Sequence, residues 1–145
     1  MSLQFSTGLA VANLDAWFNG GTAQTFLDSA ILRIRSGSPP ATADTAPSGT
    51  VLAEMTLPAD AMAGASGHST VKSGTWSDSA ADAPGTGAHF EIVRSGDLGT
   101  TNTTDKRIRG TVTATSGGGD MELDNVSIAI GQVVTVTTFT LSLPA

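Results

Sequence analysis

After residue 29 the chain is written in short runs that are apolar at alternate positions. Each run is closed by glycine, proline, serine or aspartate before it grows long. Period-two alternation puts successive side chains on opposite faces of an extended backbone, so each run reads as a half-buried strand. Seven such runs are predicted: Ala30 to Arg35, Val51 to Leu57, a weak one over Thr70 to Trp76, Gly87 to Arg94, Arg107 to Ala114, Asp120 to Asp124, and Val133 to Leu143. In the first, Leu32 and Ile34 point inward and Arg33 gives a wet face. In the fourth, Ala88, Phe90 and Ile92 point inward. Seven strands with turn signals between them and no repeat of fixed period predict an all-β domain, a β-sandwich or jelly roll.

The breaks are as informative as the runs. Ser36 to Gly49 holds three prolines and two glycines in 14 residues, which no central strand accommodates. Pro58 to Ala63 reads as one helical turn, with proline at a tolerated early position. Ser77 to Thr86 reads as a loop, Ser95 to Asp105 as a hairpin-type connection, and Gly117-Gly118-Gly119 as a flexible break. The last run changes phase: Val134 and Val136 share one parity, while Phe139, Leu141 and Leu143 share the other. A one-residue slip turns every side chain to the opposite face. A bulge near Thr137-Thr138 restores a single apolar face, and burial of both faces by a neighbour is the alternative.

Residues 1–28 differ from the rest. Phe5, Leu9, Ala12 and Ala16 recur at spacings of three and four, and Asn19-Gly20-Gly21 stops the run. This predicts an extended arm and a short amphipathic helix ahead of a single β domain over residues 29–145. The helix either packs on its own sheet or reaches a neighbouring chain. In the second case Phe5, Leu9, Leu14, Trp17 and Phe18 are the candidate partner-binding residues, because aromatic side chains are enriched at interfaces.

Composition narrows the function classes. Seventeen Gly, 20 Ala, 15 Ser and 21 Thr make half the chain small, and Leu, Ile, Val and Phe total 31 of 145. Charged residues are 14%. A thin core with a low-charge exterior fits a chain whose surface is occupied by other subunits, since free monomers draw solubility from charge. Seven Lys plus Arg against 13 Asp plus Glu give a net charge of −6, which argues against a nucleic-acid partner. No apolar run is long enough to span a membrane, and no charged and apolar leader opens the chain, so no secretory signal is expected. With no cysteine there is neither a disulfide framework nor a thiolate site.

No chemistry-bearing constellation emerges. His68 sits in a Gly-Ser loop and His89 on the polar parity of a strand, so both read as structural surface residues. No Gly-x-Ser-x-Gly elbow is present. Gly117-Gly118-Gly119 is not followed by Lys and Ser/Thr and leads into a strand, unlike a phosphate-binding loop. Asp44, Asp60, Asp78, Asp82, Asp97 and Asp105 fall in loops, where aspartate bonds its own backbone. Asp120 and Asp124, with Asn125, carry oxygens of the kind calcium takes, but the EF-hand spacing is absent and turn formation is the default. No catalytic residue, metal or cofactor is assigned, and the chain reads as a non-enzyme.

Several segments resemble a family of small virion proteins of tailed bacteriophages and prophages. They are Gln4-Phe5-Ser6-Thr7 with Asn13-Leu14-Asp15, Leu32 through Ala41, Ser48 through Pro58, Gly74-Thr75-Trp76, Gly87 through Ile92, and Thr135 through Leu141. Together they span nearly the whole chain. The resemblance implies a structural virion component made in the host cytoplasm. Its expected form is a capsid decoration protein on the phage head, a dimer or trimer bound to the major capsid protein. The alternatives are a tail or head–tail connector component and, in another class, a carbohydrate-binding host-adhesion module with an exposed Trp76 as its handle.

Overall fold

The computed structural model describes residues 6, 8, 11, 14–16 and 26–143. Ten strands follow in chain order: β1 (Ile31–Arg35), β2 (Val51–Thr56), β3 (Ser69–Val71), β4 (Ser77–Asp78), β5 (Gly85–Thr86), β6 (His89–Val93), β7 (Arg107–Ala114), β8 (Met121–Leu123), β9 (Ser127–Ile128) and β10 (Val134–Ser142). Eight form one mixed sheet in the order β2-β1-β6-β7-β8-β10-β3, with β4 also on β10; β5 and β9 make a separate ladder. The fold is the all-β sandwich that the alternating runs predict.

The sheet curls until its ends meet. The Glu54 amide on β2 donates to Asp78 Oδ2 on β4 at 3.1 Å, and Leu52 O accepts from the Asp82 and Ala83 amides. The two halves enclose one core. Leu32, Ile34, Phe90 and Ile92 come from one half, and Met121, Leu123, Val136 and Phe139 from the other. The Phe139 ring stands edge-on to Phe90 at 5.6 Å between centroids. Each such large side chain withdrawn from water stabilises the fold by about 1.5–3 kcal/mol.

Trp76 lies in this core, fully buried, against Phe139 at 5.4 Å. Its Nε1–H donates to Ser73 O at 3.0 Å. The expectation of an exposed Trp76 is therefore overturned: a core this thin in bulky residues takes the largest ring it has.

The phase change in β10 is resolved by a bulge. Val136 pairs with Leu123 and Thr138 with Glu122, so Thr137 is the extra residue. Val134, Val136 and Phe139 all face inward as a result.

Three local readings are corrected. Pro58 to Ala63 is not a helical turn: Ala59 and Asp60 make a turn, Met62 bridges Lys72, and Ala61 O and the Ala63 amide are taken by Ser73 and Val71. Tertiary pairing outcompetes the local preference. The stretch from Ser77 to Thr86 contains β4 and β5. Gly117-Gly118-Gly119 is a tight reversal, because β7 and β8 run parallel with Val112 opposite Met121. The chain therefore turns back only two residues' worth of strand, about 7 Å. Gly117 and Gly119 press on Thr113, where an added Cβ would lie 2.6 and 2.9 Å from its side chain. These glycines permit close approach.

Residues 8, 11 and 14–16 are helical. Leu14 is buried and Asp15 Oδ1 accepts the Ala65 amide at 2.7 Å, which ties this segment to the connection before β3. Leu27 already lies in the core.

Candidate functional site

The feature that sets this fold apart is a charged seam on the outer face of β1, β6 and β7. Strand register places Arg33, Glu91 and Arg109 in one row across the three strands, with Arg35 beside His89 and Arg107 beside Val93. Alternation made this the wet face. It is covered instead by the proline-rich connection 36–49, and the Glu91 and His89 side chains are buried with it. His89 is thus a seam residue and not a surface one.

Glu91 is the hub. Arg35 donates to its Oε1 through Nε (2.8 Å) and Nη2 (2.7 Å). Arg109 Nη2 reaches Oε2 at 3.1 Å and Arg33 Nη1 lies 3.7 Å from Oε1. Arg33 also donates to Glu54 at 2.6 Å. Beyond the row, Asp97 takes both Nε (2.6 Å) and Nη2 (2.8 Å) of Arg107. This bidentate pair and the Gly99 amide hold the Asp97 carboxyl below the usual carboxylate range.

The remaining donors hold the 36–49 connection down. Arg109 Nη1 donates to Thr42 O and Thr45 O, and Arg35 Nη1 to Gly49 O. His89 Nδ1 lies 3.0 Å from Gly37 O, which makes Nδ1 the protonated nitrogen. His89 Nε2 and Arg109 Nε are buried there without a hydrogen-bond partner. The seam is a clamp, its charges spent on one another and on backbone carbonyls. Beside it lies a cavity of about 260 Å³ lined by Pro39 to Ala43, Arg109, Gly110, Thr111 and Asp120.

Asp120 and Asp124 act as backbone caps. Asp120 Oδ2 accepts both the amide (2.8 Å) and the hydroxyl (2.7 Å) of Thr111, which holds its carboxyl low. Asp124 Oδ1 accepts the Thr135 amide at 3.0 Å. Among the described residues no three of His, Asp and Glu gather as a metal cage would. Of the five arm residues, Leu14 is buried within its own chain; Phe5, Leu9, Trp17 and Phe18 lie outside the described residues.

The clamp decides what the exterior looks like. Arg33, Arg35, Arg107 and Arg109 are engaged in the seam, and Arg94 donates to Phe26 O and Asp28 O. Lys72 is half-buried over the Trp76 ring. Among the described residues Lys106 is the one exposed cation, against exposed Asp44, Glu54, Asp60, Asp82, Asp120 and Asp124. Rows of threonine (Thr111, Thr115, Thr137, Thr138, Thr140) fill much of the remaining outer sheet. The exposed charges, six carboxylates to one cation, are more one-sided than the 13 to seven of the whole chain. Counting residue types reveals the acidity but not the inward turn of the arginines. The only signal for that turn was Arg at alternate positions on two strands with Glu91 between them.

No family model, curated protein or solved structure matches this chain.

Proposed function

We propose that this chain is a bacteriophage virion structural protein, a capsid decoration protein that binds the outer face of the major capsid lattice and braces the head. The observation that carries the reading is the exterior: carboxylates and hydroxyls face out while the arginines are drawn into a clamp. An acidic, uncharged-hydroxyl surface does not adhere to packaged DNA and complements basic ground on a protein shell. The clamp adds rigidity, and a rigid module loses little freedom on docking. Repetition supplies the strength, because contacts from one oligomer to several shell subunits act at high effective concentration. The segmental resemblance to tailed-phage virion proteins points the same way. The adhesion reading loses its handle with the burial of Trp76.

The test is co-sedimentation of the purified chain with heads assembled from the major capsid protein. Saturation at a copy number set by the icosahedral lattice is expected, with raised resistance of the heads to heat. No binding, or binding confined to tails, overturns the reading.

A further inference from the structure

The turn between β9 and β10 gathers two exposed large apolar side chains within four residues. Ile130 and Val133 stand 69% and 53% exposed, while the other exposed large apolar side chains among the described residues, Leu98 (85%) and Val71 (49%), each stand alone in sequence. The turn is held rigidly. The Gln132 amide donates to Ala129 O at 3.0 Å and Gln132 Oε1 accepts the Ala129 amide at 2.9 Å. Two further bonds of 2.8 Å, Ala81 N–H to Gln132 O and Gly131 N–H to Ala81 O, staple it to the segment after β4. Val134, the next residue, is fully buried. The two side chains are thus presented on a fixed support, so little entropy opposes their burial by a partner.

The surroundings of the turn are acidic. Asp78 pairs with Val134 across β4 and β10, Asp82 is exposed one residue from the stapled Ala81, and exposed Asp124 caps Thr135. Among the described residues, those that pair or bond with 129–135 include no Lys or Arg. An apolar centre with a charged rim is the anatomy of a protein docking site. A second copy of this chain, acidic in the same place, is repelled from it.

We propose that the 129–133 turn is the docking tip of this protein, and that it enters an apolar socket rimmed by Lys or Arg on the partner. In the virion that partner is the shell, so the inference rests on the decoration reading and names its contact point.

The experiment compares particles carrying the wild-type chain with particles carrying Ile130→Asp/Val133→Asp or Asp82→Lys, with heads and tails separated and the chain quantified in each. All the staples of the turn are backbone or Gln132 bonds, so both variants should melt with the wild type. The double variant is expected to lose head occupancy about tenfold or more, as loss of a central apolar contact does. The rim variant should bind more weakly at low salt and converge on the wild type as salt screens the rim. Folded variants that occupy heads as the wild type does overturn the tip, as does self-association of the wild type that the double variant abolishes. Wild-type chain found on tails overturns the head assignment while still measuring the tip, and wild-type chain absent from particles overturns both.

Discussion

Replacing Glu91 by Gln should unfold this protein far more readily than the loss of one surface charge would. The substitution keeps the side chain's shape and removes the anion that three guanidinium groups share, at 2.7, 3.1 and 3.7 Å. Opposite unit charges 4 Å apart attract by about 4 kcal/mol at an effective dielectric of 20. Desolvation offsets most of that gain while the partners are matched. Once Glu91 is neutral the desolvation cost of Arg35 and Arg109 remains and the attraction is gone. Breaking a buried pair in this way costs about 3–5 kcal/mol. The low end applies here, because Gly49 O, Thr42 O and Thr45 O still accept from the stranded arginines. For a domain of this length about 3 kcal/mol corresponds to a drop in Tm on the order of 10 °C.

Thermal and urea unfolding of wild type, E91Q, R109M and the double variant at pH 7 measure this, followed by far-ultraviolet circular dichroism. In the double variant one of the stranded cations is gone, so its loss should fall short of the sum by about 1 kcal/mol or more. An E91Q protein within about 1 kcal/mol of the wild type would show that the seam is decoration on a fold held by its apolar core, and the clamp argument would fail with it.

Acid should act through Asp97. Its folded pKa lies below the ordinary 3.8, so its contribution is complete above that value and disappears as the pH falls below it toward the folded value. Asp97→Asn is therefore expected to cost about 1.5–3 kcal/mol at neutral pH, and the gap from wild type should close below pH 3.8, which a set of urea titrations from pH 7 to 2 resolves. At Gly49, φ is +71° and an added Cβ would sit 1.8 Å from Ser36 O. Gly49→Ala should combine left-handed strain of about 1–2 kcal/mol with overpacking of about 1–3 kcal/mol, and limited proteolysis should then cut within 36–49. Gly118 shares the positive φ but has open space, so Gly118→Ala should show the strain alone. Deleting Thr137 removes the extra residue and leaves Val134, Val136 and Phe139 on one parity of a regular strand, so unfolding should stay cooperative, whereas deleting Thr135 puts Val134 and Val136 on opposite faces, turns one of them out of the core and should lower stability by roughly 1.5–3 kcal/mol.

The parts of this fold that were legible in the sequence share one property: the side chain's own periodicity carried the information. The parity flip between Val136 and Phe139 located the bulge to within a residue, because only an extra residue lets both valines and both later apolar positions face one core. The hairpin between β6 and β7 and the proline-rich break before β2 were legible for the same reason. What alternation does not encode is what lies above a face. Arg33, Arg35, Glu91, Arg107 and Arg109 have the pattern of a solvated surface, and only the return of residues 42–49 over them converts it into a buried clamp. Trp76 and Gly117 failed for a related reason: the ring and the bare backbone are each placed by a neighbour distant in sequence or by a close approach, Phe139 in one case and Thr113 in the other.

The clamp also explains how a chain with so thin a core holds one shape. Leu, Ile, Val and Phe make up only 31 of 145 residues, and small residues bury little apolar area each. A second layer of order on the far side of β1, β6 and β7 anchors the 14-residue connection that would otherwise be free. A polar layer of this kind adds geometric specificity more than free energy, because bidentate guanidinium pairs accept one arrangement and penalise the rest. The consequence reaches the surface. Every arginine committed to the clamp is one fewer outside, so the arrangement that fixes the fold is also the one that leaves carboxylates dominant among the exposed charges.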